Sequence, residues 1–107
     1  MWRDGVRVPT SIFQTAAAHD CVKVWCSRCP NAVVFEPAGL WWHFHTRGWN
    51  DEFRHAREQF WCMRCAIGGL SRIRPRLLEA VREQATRAIL PEPPAREWKR
   101  EMRRYRT

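Results

Sequence analysis

Two Cys-x-x-Cys pairs, Cys26-Ser-Arg-Cys29 and Cys62-Met-Arg-Cys65, stand thirty-two residues apart and constrain this chain more than any other feature of it. Two residues between paired cysteines let a tight turn aim both sulfurs at one ion about 2.3 Å away, and two such turns close a tetrahedral shell. Cys26, Cys29, Cys62 and Cys65 are therefore the expected ligands of one structural Zn2+. Four protein sulfurs leave no open position for water or substrate, so the spacing points to a metal-nucleated binding module rather than a catalytic metal.

Length makes such a staple useful. At 107 residues the chain has room for one small domain with tails, and a core of a few short elements gains stability from a metal. Lys and Arg number 19 against 11 Asp and Glu, and the excess sits mostly beyond residue 65. Seventeen of the basic residues are arginine, which suits bidentate phosphate contacts and stacking, although arginine-biased codon usage gives the same ratio. No apolar stretch approaches the ~20 residues of a membrane span, and no apolar h-region follows Met1-Trp-Arg-Asp-Gly5. The expectation is a cytoplasmic protein with no membrane partner. An odd cysteine count argues against a complete disulfide framework. The unpaired Cys21 reads as a small buried side chain, with an alternate ligand or a redox thiol as the competing readings.

Along the chain, residues 1–20 show weak periodicity and read as an N-terminal arm, with Ile12-Phe13 as a hydrophobic anchor. A zinc-bearing domain follows over 21–74. The β-rich run Cys21 to Trp25 and its partner Asn31 to Glu36 place the first Cys pair at the turn of a hairpin. Pro37 opens a helix with Leu40, Trp41 and Phe44 on one face and Gly48 just past its end. Asn50 or Asp51 is placed to cap a second short helix carrying Phe53 and Ala56, so that residues 37–59 form a helical insertion. Phe60-Trp61 returns in extended form, Gly68-Gly69 turns the chain, and Leu70 to Arg74 reads as the closing strand of a second hairpin. Residues 75–90 then read as a C-terminal amphipathic helix, with Pro75 at N1 and Leu77, Leu78, Val81, Ala85, Ala88 and Ile89 on one stripe. Pro91-Glu-Pro-Pro94 breaks it. In the basic tail beyond, Trp98, Met102 and Tyr105 recur at helical spacing and suit docking on a partner surface.

The run Val33-Val34-Phe35-Glu36-Pro37 with Leu40, the segment Arg47-Gly48-Trp49-Asn50-Asp51 and the two Cys-x-x-Cys pairs resemble small bacterial zinc-ribbon proteins with a helical segment between their knuckles. The resemblance covers about residues 22–75 and implies a small α+β zinc ribbon built on two β-hairpin knuckles. Most of that family has no assigned function. One departure is visible: a glycine commonly follows the last knuckle cysteine directly in zinc ribbons, whereas here Ala66-Ile67 precede Gly68-Gly69.

Three function classes follow. A nucleic-acid-associated regulatory module would bind DNA or RNA through Arg28, Arg64, Arg72, Arg74, Arg76 and the tail residues Lys99, Arg100, Arg103 and Arg104. Arg28 and Arg64 equally suit neutralising the tetrathiolate. Trp41 and Trp42, in the densest cluster of a chain with seven tryptophans, would offer a base-stacking platform if exposed, with core packing as the plainer reading. A protein adaptor would dock on a larger machine, such as the transcription apparatus, through the Trp cluster, helix 75–90 or the tail 95–107. A thiol oxidoreductase fits worst, because neither Cys pair lies in a βαβ pattern and no phosphate-loop, nucleophile-elbow or His-Glu-x-x-His motif is present. No enzyme is expected. His43 and His45, two apart on a helix, point to different sides and make a poor joint site; His19 and His55 lie elsewhere in sequence.

Overall fold

A computed structural model describes residues 2–3, 6–69, 72–86 and 90–106. The chain opens with a short antiparallel ladder, β1 (Trp2–Arg3) against β2 (Val6–Arg7), and then enters α1 (Ile12–Ala17). Ser11 caps α1, its hydroxyl accepting from the Gln14 N–H. Ile12 is fully buried, so this stretch is a helix in the core where the sequence suggested an arm. It is also stitched to the middle of the chain: Ile12 N donates to Asp51 O (3.0 Å) and Phe53 N to Thr10 O (2.8 Å).

The first hairpin forms as the β-branched residues require. β3 (Cys21–Cys26) pairs antiparallel with β4 (Ala32–Phe35), Val22 opposite Phe35 and Trp25 opposite Ala32, with Cys29 in the turn. α2 (Pro37–Thr46) has Pro at its first turn and ends at Gly48, whose φ of 68° is the left-handed conformation that glycine adopts without a Cβ clash. Leu40, Trp41 and Phe44 are its buried face. Glycine is needed once more inside α2: a Cβ on Gly39 would lie 2.7 Å from the Leu90 carbonyl oxygen. α3 (Phe53–Ala56) runs directly into a 3-10 turn, Arg57–Gln59.

Downstream of the insertion the structure departs from the sequence reading. Cys62 does not sit in a second hairpin; it precedes α4 (Met63–Ile67), so the second knuckle is a helical turn, closed by Cys62 N donating to Ile73 O (3.0 Å). The stretch expected to open a C-terminal helix is a strand, β5 (Pro75–Val81). β5 pairs antiparallel with β3, Cys21 opposite Val81 and Cys26 opposite Pro75, giving a three-stranded sheet in the order β4-β3-β5. The physical reason is β3 itself: with β4 on one side only, its other edge would leave unpaired backbone groups against the core. Helical periodicity in this stretch yields to that demand. Pro75 costs little at the first position of an edge strand, where its missing N–H is tolerated. Leu78 is buried while its neighbour Leu77 is 41% exposed, as adjacent residues on opposite faces of a strand are. Beyond β5, Thr86 seals the outer edge of β4, its N–H donating to Val34 O (2.9 Å) while its hydroxyl accepts from Val34 N (3.1 Å). Leu70, Ser71 and residues 87–89, on which parts of the expected closing strand and helix fall, lie outside the described residues.

The tail is a helix, α5 (Ala95–Arg106), as its spacing allowed. Its apolar side is already occupied: Trp98 packs on Phe13 (5.3 Å between ring centroids) and Trp41 (5.5 Å), and Tyr105 meets Phe13 edge-on (5.3 Å). The main core is Ile12, Val22, Leu40, Trp41, Phe44, Ala56 and Leu78; a second buried cluster holds Cys26, Cys62 and Cys65 with Cys29 and Ile73 against it. No helix among the described residues is long and apolar enough to cross a membrane.

Candidate metal centre

The end of β3 and the start of α4 bring the two Cys pairs together. Cys26 Sγ lies 3.7 Å from Cys65 Sγ, Cys29 Sγ 3.6 Å from Cys62 Sγ and 3.7 Å from Cys65 Sγ, and all four sulfurs fall within 4.8 Å of one another. A tetrahedron with metal–sulfur bonds of about 2.3 Å has edges of about 3.8 Å, so the group fits one ion at its centre. Three of the four cysteines are buried, and among the described residues no histidine or carboxylate joins them. Three segments contribute to the frame. The hairpin turn is closed by Cys26 N donating to Asn31 O (3.0 Å); the Ser27 hydroxyl ties that turn to Arg74 O (2.8 Å); and Ile73 O holds Cys62 N.

The sulfurs have their own donors. Arg28 N–H points at Cys26 Sγ (3.4 Å) and the Asn31 side-chain amide at Cys62 Sγ (3.5 Å). Such outer contacts orient ligands and stabilise thiolates. Burial pushes the Cys62 thiol up, but the Cys65 N–H, Asn31 and the neighbouring thiols more than reverse this and bring it down to about 6. Cys26 is lowered as well, the N–H groups of Arg28 and Cys29 outweighing burial. Burial together with the Cys26, Cys29 and Cys62 thiols pushes Cys65 up to about 12. At Cys29 the Asn31 N–H favours the thiolate, yet burial and the Cys26 and Cys62 thiols win and raise it. Four thiols this close cannot all ionise without a cation between them. The site thus alternates low and high affinity for protons, a donor set whose remaining protons a divalent metal would displace.

Asn31 and Ser27 were not legible as site residues from spacing alone. Asn31 carries the only hint, standing two residues beyond Cys29 where a turn residue folds back. Cys21, at the far end of β3, stays outside the group and is half-buried; burial, then the charges of Glu36 and Asp20, push its thiol up, against a redox role. The histidines are elsewhere too. His45 stacks on Trp41 (4.8 Å) and Trp42 (5.7 Å), and His43 meets Trp49 edge-on (5.7 Å).

The proposed basic residues divide into two sets. Arg28, Arg64, Arg72, Arg74 and Arg76 are exposed and surround the metal end, and none forms an ion pair among the described residues. Arg74 Nη1 also donates to Phe60 O (3.1 Å), Arg72 lies over the Trp61 ring (4.6 Å) and Arg76 over Trp25 (5.2 Å). Lys99, Arg100, Arg103 and Arg104 are exposed on α5 instead, where Arg100 pairs with Glu97 and Arg104 with Glu101. Of the two tryptophans read as a stacking platform, Trp41 is only 5% exposed and belongs to the core, while Trp42 packs half-buried against it. Trp41 is buried because its face of α2 packs on Phe13 of α1 and Trp98 of α5.

No protein-family model, curated protein or solved structure matches this chain. The four-cysteine group and the small α+β fold therefore stand on the geometry alone.

Proposed function

We propose that the chain is a zinc-stabilised, nucleic-acid-associated regulatory module of the cytoplasm, in which Zn2+ is a folding element and the arginines of the metal end contact phosphates. Tetrahedral, all-thiolate donors suit zinc, and a reducing compartment keeps them available. The observation that carries the reading is a charge surplus in one place. Residues 24–35 and 60–78, which build the metal end, contain no Asp or Glu and carry Arg28, Arg64, Arg72, Arg74 and Arg76. A zinc tetrathiolate has a formal charge of about −2, so five guanidiniums without an ion pair among the described residues exceed what neutralising it requires. Such a surplus of planar bidentate donors is the chemistry of phosphate contact.

The test is a titration of zinc-loaded protein into labelled oligonucleotides over a series of salt concentrations. Affinity should fall steeply with salt, each phosphate contact adding about 0.7–0.9 to the log–log slope. Absence of binding, or binding indifferent to salt, would remove the proposal.

A second reading, the protein adaptor, is favoured by α4, where Met63 is 50% and Ile67 82% exposed. A protein partner that stays bound through nuclease treatment and is lost on Ile67→Asp would support it.

A further inference from the structure

We infer that the metal end takes an unpaired nucleobase, with Trp61 as its stacking platform, so that the ligand class is single-stranded nucleic acid; this rests on the nucleic-acid reading above. Among the tryptophans whose side chains are described, Trp61 alone is an exposed large hydrophobic, at 42%. The others are committed. Trp41 and Trp98 pack on each other and on Phe13, Trp42 is capped by His45, Trp49 sits against Phe44, and Trp25 donates its indole N–H to Glu79 beneath Lys23 and Arg76.

Trp61 is also held where phosphates would be. It directly precedes the ligand Cys62, in a segment fixed at Phe60 O by Arg74 and at Cys62 N by Ile73. Arg64 lies inside the same knuckle, and Arg28 adjoins Cys29, whose sulfur is 3.6 Å from that of Cys62. Trp61 is among the residues that line a cavity of about 40 Å³ beside the metal end, together with Phe60, Ile73 and Pro75. The Arg72 guanidinium over the ring is an exposed cation–π contact and a weak one, so it can yield the face to a base or stack on the base's outer side. An exposed ring on a backbone-anchored segment, with an arginine over its face and others in the same end of the molecule, is what binds bases that have left a duplex: every base offers a π face, and the backbone beside it offers phosphates. A duplex keeps its bases stacked on each other and could use only the arginines.

The experiment compares a fluorescein-labelled oligothymidylate with a duplex of equal length, by anisotropy, on the zinc-loaded full chain. Wild type should prefer the single strand. Trp61→Ala and Trp61→Leu should each lose about tenfold on it, the order of one base stack, with the salt slope unchanged. Trp61→Phe should keep most of the affinity, and Arg64→Gln should lower the salt slope instead. Zinc content is measured on each variant. If Trp61→Ala fails to hold zinc, the comparison of Phe with Leu decides, since both fill the position and only one has a π face. Equal affinity of those two, or a wild-type preference for duplex, overturns the platform and leaves phosphate binding standing. Binding of neither oligonucleotide overturns both readings. A nuclease-resistant protein partner whose capture needs Trp61, with no oligonucleotide binding, overturns the platform and assigns the face to protein docking.

Discussion

At the scale of single residues, the four ligands and the fifth cysteine make opposite predictions. Cys62→Ser removes one corner of the sulfur tetrahedron and the acceptor for Asn31, so bound zinc should be lost to an equimolar chelator that wild type resists. Cys21→Ser should leave zinc content unchanged, because Cys21 lies outside the group. Zinc retained in Cys62→Ser, measured by atomic absorption, would refute the assignment. Proton linkage gives a second check. Without metal, Cys65 is pushed up to about 12 and Cys29 is raised, so both hold their protons at neutral pH, whereas Cys62 at about 6 is largely ionised. Metal needs four thiolates and must displace at least those two protons. Their loss makes binding stronger as pH rises and weaker as it falls, by about a hundredfold per pH unit between pH 7 and 8 for two protons. Calorimetry in buffers of different ionisation enthalpy counts them directly. A slope near zero would contradict the proton distribution described.

Elements show where local pattern and long-range pairing part. The valines of β3 and β4, with a Cys-x-x-Cys turn between the strands, leave few options, and Pro37 with Gly48 brackets α2 by fixed φ at one end and left-handed φ at the other. β5 was the opposite case. Pro75, Leu77, Leu78 and Val81 satisfy a helical stripe as well as a strand, and only the open edge of β3 selects the strand. The two arrangements are separable by mutation. A helix stripe would bury both leucines, whereas in the strand Leu78→Ala should cost about 2–4 kcal/mol and Leu77→Ala less than about 1 kcal/mol in urea unfolding. Equal losses would count against the strand. Asp51 makes the same point in a polar side chain. It looks like a cap for its own helix, but its carboxylate accepts from Phe13 N (2.8 Å) at the start of α1, while Asn50 takes the Glu52 N–H. The partner is 38 residues away, and spacing cannot see it. α5 was legible as amphipathic but not as self-docked: Trp98→Ala should cost about 2 kcal/mol and raise amide exchange along α5 without changing zinc content. Unchanged exchange would mean that the helix is held by something else.

Over the whole molecule, the sheet joins two centres. β3 runs from Cys21 to Cys26 of the four-cysteine group, and β5 runs back from Pro75 beside it, so the strands that carry Val22 and Leu78 into the core end at that group. Chelation should therefore do more than loosen a loop. We expect removal of zinc to lower the melting temperature by well over 10 °C and to shift the near-UV signal of core tryptophans, since structural zinc contributes on the order of 10 kcal/mol to small domains. A melt unchanged by chelator would separate the two centres and refute the coupling. What the sequence determined by itself is local: a Cys-x-x-Cys turn has one geometry that serves a metal, a β-branched run pairs with its nearest neighbour, and proline and glycine fix the ends of α2. What the tertiary structure decided is which of several permitted partners each ambiguous surface found. Ile12 went into the core, residues 75–81 joined β3, α5 covered Phe13 and Trp41, and Trp61 was left outside. Those outcomes depend on satisfying backbone edges and burying apolar faces between segments far apart in sequence, and such terms exist only once the chain has closed on itself.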